Sequence, residues 1–463
     1  MQSIDDYSRV YKSIEDFIDT PISRDQSDAH FGTIRRTING FNMKLVTADD
    51  VQFTQLDFNL TSYQVTSLCG DSLSRLVANN AFFVSDFTDV TKYNDKERPE
   101  KYTPSGQGFF CVNYQQDGAL LPMAIRLTDT NLMYTPFDHP NEWRLAKMAF
   151  NAMEISAQQM QHFVETHLVY EPIRVEMMRA MSPYHPIYNL MDHHLFGVFG
   201  IPILARVGLL EDQTTLDSTF GWGAVGCLHY VLNYFQSPTL SLSYSFLDDI
   251  KARGVHHIPN HKVVEYGTLL HAELSKFTAA YIDVYYKSDR DVANDRELQN
   301  WALWSSQLEL VQDFPSELRT KTQLHRLLTH IIFQVSVKHH AMNGQVTWHS
   351  ISAPFSVPSL WNEPLPTRKG VAIDLSKYII PDQYLPDLVH VAATFQREIP
   401  SRLTLLNAYD AQRFQQHPEL QDVLVQFKKN MMTLDTAMAA REAQAAQPYE
   451  FLRPSRLPYF GWI

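Results

Sequence analysis

Apolar residues in a helical rhythm dominate the chain from Trp143 onward, whereas the first third mixes short helical runs with strand-like ones. Residues 1 to about 45 predict an N-terminal segment with one short helix, followed by a turn at Asn39 to Asn42. Leu73, Leu76 and Val77 predict the core face of another helix. Gly108 to Leu127 predicts a hairpin, because two apolar runs flank Asp117-Gly118, a dipeptide suited to a tight turn. Trp143 to Pro186 predicts a long helical stretch in which Glu171-Pro172 ends one segment and Ser182 to Pro186 forms the next turn. Val264 to Tyr286 and Glu297 to Val311 predict amphipathic helices, Pro354 to Pro366 an ordered surface loop, and Pro418 to Ala446 a closing helix.

Two of these stretches carry candidate chemistry. His162 and His167 interrupt the apolar rhythm of the first. The second, Leu328 to Asn343, places His339 and Asn343 at i and i+4, one above the other on a single helical face. A metal centre requires these two helices to meet.

Composition narrows the picture. At 463 residues the length allows two or three domains, yet no low-complexity run, Gly/Ser tract or block of like charge marks a linker. With 44% apolar residues the chain can build a large continuous core. A net charge of -12 with no basic stripe argues against nucleic acid as a partner. The first residues are polar and acidic, without the apolar stretch of a signal peptide. No run of about 18 apolar residues suggests a transmembrane span. Cys69, Cys111 and Cys227 form an odd, scattered set, which predicts reduced thiols and a cytoplasmic location.

An ordered series of short motifs resembles the lipoxygenase family. It comprises Trp143, Ala146-Lys147, His162, Thr166-His167, Glu171-Pro172, Arg179, Ser182 and His185 to Tyr188, followed by Ala205-Arg206. Tyr285 to Trp301, Ser336 to Gln345, Phe31-Gly32, Gly40 to Asn42, the Asp117-Gly118 hairpin and the ending PYEFLRPSRLP continue the series. The resemblance implies a mainly α fold: a single helical catalytic domain over 1–463 with long central metal-bearing helices. In it, residues 1–130 form an N-terminal portion with short helices and a β-hairpin packed on the helical core. No N-terminal β-barrel is expected.

The resemblance also implies one non-haem iron, with manganese as the alternative. Carried over by position, its ligands are His162, His339, Asn343 and the terminal carboxylate of Ile463. The implied reaction is a dioxygenase reaction, in which a metal-bound hydroxide is the only catalytic base. A hydrogen atom leaves a polyunsaturated fatty acid, and dioxygen adds to give a hydroperoxide, an oxylipin. The partners are therefore dioxygen and an apolar, fatty-acyl substrate. Gly221, in GWGAVG, falls where relatives place a small residue that directs oxygen. Two alternatives stay open: the same fold and metal acting on a different substrate, or a lipid-binding or structural homologue without the full metal site.

One departure falls on the first metal helix. The family pattern pairs two histidines five positions apart, and five positions before His162 stands Ala157, which cannot ligate. On a regular α-helix, i and i+5 point roughly 140° apart and share a metal only across a π-type bulge. The stretch is one residue shorter than the family pattern, which predicts a plain α-helix with Gln158 in the missing ligand's place. A rival register pairs His162 with His167, again His-x-x-x-x-His. Further departures are the loss of the apolar residue before Gly344-Gln345 and the aromatic tail Tyr459 to Trp462.

Overall fold

The computed structural model describes residues 26–343, 356–395 and 399–461. Its first helix, α1 (Asp28–Ile34), is capped by Ser27 and lies against the start of α2 (Pro140–Phe163). Pro140 occupies the first turn of α2, where a missing N–H leaves no bond unmade, and the His139 side chain caps it. Asp28 accepts hydrogen bonds from Trp143 Nε1 and Lys147 Nζ, both at 2.8 Å. Further along, Arg35 and Glu154 form an ion pair of 2.9 Å with both side chains fully buried. Asn39 Nδ2 donates to the same carboxylate at 2.7 Å. These contacts fix the register of α2, whose residues are almost all buried.

Between α1 and α2 the chain forms a five-stranded antiparallel sheet in the order β1-β2-β4-β5-β6. The strands are β1 (Met43–Leu45), β2 (Phe82–Phe87), β4 (Gly106–Asn113), β5 (Ala119–Leu127) and β6 (Leu132–Tyr134). A two-stranded sheet joins β3 (Lys101–Tyr102) to β7 (Leu360–Trp361), which interrupts the expected surface loop. β4 and β5 are the predicted hairpin, and Asp117 and Gly118 take φ of 51° and 70°, as the tight turn demands. Phe109, Phe110 and Phe82 pack from the sheet into an apolar core that continues through the helices to Phe460.

Cys69 ends the helix Ser62–Cys69, and Cys111 lies in β4; the two form a disulfide. Only Cys227 is free among the described cysteines, and it is buried. The reading of three reduced thiols is thus corrected, and with it goes the cysteine support for a cytoplasmic location. Sequence did not reveal the pairing, because 42 residues separate the partners and only the packing of that helix on the sheet brings them together. A loop of that length implies about 4 kcal/mol of stabilisation in the chain-entropy picture. Reduction with dithiothreitol is therefore expected to lower the urea unfolding midpoint, and an unchanged midpoint would show the bridge to be absent or idle.

The remaining frame is helical. After α2 come α3 (Tyr170–Ala180), α4 (Pro186–His194), α5 (Gly200–Leu209), α6 (Gly223–Tyr234), α7 (Lys262–Tyr285), α8 (Lys321–Phe333), α9 (His339–Asn343) and α10 (Gln421–Glu442). The predicted helix at Glu297 ends earlier, at Ser305. Among the described residues no helix is long and apolar enough to cross a membrane.

Candidate metal centre

Glu171-Pro172 does not end the first helical segment. A π turn (Val164–Leu168) joins α2 to α3, and Pro172 sits in the first turn of α3, where a helix tolerates proline. The expected plain α-helix is corrected: the chain widens by one residue where His167 follows His162. The turn's i→i+5 pattern is seen in Val169 N bonding Val164 O at 3.3 Å. Thr166 Oγ1 satisfies the carbonyl of His162 at 2.8 Å, a bond that a side chain can make where the backbone register shifts. The second metal helix repeats the device. A π turn (Gln334–Lys338) joins α8 to α9, and Ser336 Oγ bonds the Ile332 carbonyl at 2.5 Å.

These two π turns bring three imidazoles together. His167 Nε2 lies 3.2 Å from His162 Nε2 and 2.9 Å from His339 Nε2. Two nitrogen ligands about 2.1 Å from one ion, at right angles, stand about 3.0 Å apart, so these spacings suit neighbouring positions of a six-coordinate site. All three rings are buried, His167 and His339 completely. Burial pushes the His162 pKa down to about 3, and burial with neighbouring imidazoles drives His167 and His339 well below the ordinary value. Each ring is therefore neutral at pH 7, with a lone pair available to a metal. This is the one His/Cys/Asp/Glu group of metal-holding geometry among the described residues.

The imidazoles that the structure brings together are the pair of the rival register, His162 and His167, with His339. The Gln158 amide nitrogen donates to the backbone carbonyls of Ile38 at 2.9 Å and Met342 at 3.4 Å, while its Oε1 has no hydrogen-bond partner among the described residues. It ties the N-terminal segment and α9 to α2, while His167 supplies the third imidazole. Asn343 follows His339 by one turn, is buried, and its Oδ1 has no hydrogen-bond partner among the described residues. Ile463 and Gln345 lie outside the described residues. The tail nonetheless reaches the site. A Cβ on Gly461 would meet His167 Cε1 at 3.2 Å and His339 Cδ2 at 3.6 Å, so a side chain there would press on two of the three rings.

His193 and His194, which lie outside every motif singled out in the sequence, hold that tail. His194 Nδ1 donates to the Tyr459 carbonyl at 2.6 Å while its Nε2 meets the Tyr409 hydroxyl at 2.7 Å. The His193 ring stacks on Tyr459 at 4.0 Å.

A small apolar cavity of about 30 Å³ opens beside the histidines. His162, His167, Gln159, Met160 and Phe163 form one wall, and Leu210, Leu216 and Phe220 contribute to the other. α5 presents Ile201, Ala205 and Leu209, one turn apart, on its inner face. Gly221 does not line this space. A side chain there would run into the backbone of Tyr102 and Thr103 at 2.3 Å, so the glycine serves close backbone packing and the neighbouring Phe220 faces the cavity.

Comparison with known proteins gives a family-model match, described as Lipoxygenase, over residues 36–454. Manganese lipoxygenase of Colletotrichum gloeosporioides is 27% identical over 401 residues, 83% of this chain and 64% of that protein. Polyunsaturated fatty acid lipoxygenase ALOX15 of Bos taurus is 27% identical over 473 residues, 98% of this chain and 69% of that protein. The chain thus spans about two thirds of the length of these curated relatives. Among solved structures, a manganese lipoxygenase superposes with a TM-score of 0.87 at 25% identity, over 99% of this chain and 85% of that one.

Proposed function

Because this chain belongs to the lipoxygenase family, we propose that it is a non-haem metal dioxygenase converting a polyunsaturated fatty acid and dioxygen into a hydroperoxide. The observation that carries the reading is the buried triad of neutral imidazoles, spaced for one ion, at the wall of an apolar cavity. His162, His167 and His339 would hold the metal, with Asn343 and the Ile463 carboxylate completing the set. Iron and manganese both accept such nitrogen and oxygen donors. Relatives named manganese lipoxygenase support manganese as fully as the general family resemblance supports iron.

When bound, the metal supplies a one-electron redox centre able to take a hydrogen atom from a weak C–H bond. The protein supplies the rest. Ile201, Ala205 and Leu209 would offer an acyl chain an apolar face along α5 beside the histidines, and apolar walls would keep water from the resulting carbon radical. Dioxygen adds to that radical, and return of the hydrogen completes the hydroperoxide, so that the substrate gains both oxygen atoms.

Elemental mass spectrometry on the purified protein is expected to give close to one iron or manganese per chain. Addition of linoleate or arachidonate is expected to raise conjugated-diene absorbance. Metal without diene would redirect the reading to another substrate; no metal after anaerobic reconstitution would remove the enzyme reading altogether. Ala205→Phe should fill the cavity, leave metal content unchanged and lower kcat/KM by roughly two orders of magnitude, the scale of a displaced substrate. Unchanged kinetics would place the substrate elsewhere.

A further inference from the structure

The two π turns face each other, and each offers the other a charged side chain. Glu165 stands in the first, two residues before His167, and Lys338 in the second, directly before His339. Lys338 Nζ and Glu165 Oε2 form an ion pair whose side chains are 9% and 6% exposed. The Tyr234 hydroxyl of α6 donates to the other carboxylate oxygen, and Thr239 Oγ1 holds that hydroxyl at 3.1 Å. One turn before Glu165, Gln161 Nε2 donates to the Tyr230 hydroxyl of α6 at 3.0 Å, a second tie to the same helix.

Taking a carboxylate and an ammonium out of water is costly, and their attraction often does no more than offset it; two apolar side chains of similar volume fill such a gap equally well. An ion pair differs in what it specifies: one partner, one distance and one register between the elements that carry it. Here those elements are the π turns that place the histidines. A slip of either turn by a fraction of an ångström changes the nitrogen spacings that suit a single ion.

We propose that Glu165 and Lys338 are positioning residues: their buried ion pair, with Tyr234 holding the second carboxylate oxygen, sets the separation and rotation of the two π turns and so keeps His162, His167 and His339 within ligand distance of one ion. The proposal rests on the metal reading above. Neither side chain supplies a ligand atom to the triad, so the pair acts through the histidines and not on the substrate.

The test is manganese(II) binding to metal-free protein, followed by electron paramagnetic resonance and isothermal titration. Glu165→Leu/Lys338→Met removes both charges together and leaves none unpaired. The double variant is expected to unfold at a temperature close to wild type, to bind manganese at least tenfold more weakly, and to show a changed spectrum of the bound ion. A folded double variant with wild-type affinity and spectrum overturns the proposal. Should it fail to fold, Tyr234→Phe, which deletes one hydroxyl outside the histidine helices, is expected to weaken binding three- to tenfold without moving the unfolding temperature. Wild-type affinity in that variant is equally fatal. Wild-type protein that binds no manganese and no iron instead overturns the metal reading itself, a result that the wild-type titration shows on its own.

Discussion

Replacing His167 with alanine is expected to weaken metal binding by at least about 100-fold, since loss of an outer-sphere partner alone costs 10- to 100-fold at comparable sites and a ligand costs more. Activity should fall with the metal. His167 Nε2 is the atom common to both short contacts of the triad, 3.2 Å to His162 and 2.9 Å to His339, so no other single change separates the cluster as completely. Gln158→Ala gives the contrasting result. Its amide bonds run to the carbonyls of Ile38 and Met342, so its loss should leave the metal bound and cost about 1–3 kcal/mol of stability through unsatisfied buried groups. The two variants, compared by metal content and by urea unfolding, decide between the registers. Metal lost from Gln158→Ala but retained by His167→Ala would reverse the assignment.

The second large effect is acid sensitivity from buried histidines outside the triad. Burial holds His261 and His330 down to about 3, and His194 down to about 4 despite the Tyr459 carbonyl that favours its charged form. Arg253 and Arg36 push His261 further down, as Lys338 does His330. In the unfolded chain each takes up a proton near pH 6.5, while in the folded protein each stays neutral to pH 3–4. The unfolded state therefore binds more protons as pH falls, and stability present above pH 6.5 is lost progressively below it. By pH 5 each histidine removes about 2 kcal/mol. Glu154 and Glu171, whose carboxyls burial pushes upward, work in the opposite sense. Urea midpoints measured from pH 7.5 to 5 are expected to drop steeply below 6.5, and a flat profile would refute the burial argument.

Much of the fold was legible because its signals are local. The Asp117-Gly118 turn, the apolar face of α7 and the proline that opens α4 all announce themselves within a few residues. The two metal helices were recognisable too, by their histidines and by the ordered motifs around them. What was not legible is the π turn. The one-residue shortening against the family pattern pointed to a plain α-helix with Gln158 beside His162, whereas the structure brings His162 and His167 together across a π turn. Gly221 misled for a related reason: a glycine looks like room for a ligand, whereas the room is taken by backbone from Thr103, 118 positions earlier. The disulfide and the His193–His194 anchor of the tail depend on partners brought together from far along the chain; His194 and Tyr459 are 265 residues apart. Such pairings leave no periodic trace.

The company that Gly461 keeps has a kinetic corollary. It lies beside His167 and His339, while Ile38 takes the amide of Gln158 one turn below His162. Residues from the thirties, the hundred-and-sixties, the three-hundred-and-thirties and position 461 must all be in place at once. Closing loops of that size is the slow part of folding, because their entropy is lost before any contact is gained. The histidine cluster is accordingly expected to be among the last features to take shape, so that metal capture would follow assembly, and pulse-labelled hydrogen exchange that protects these helices first would refute this.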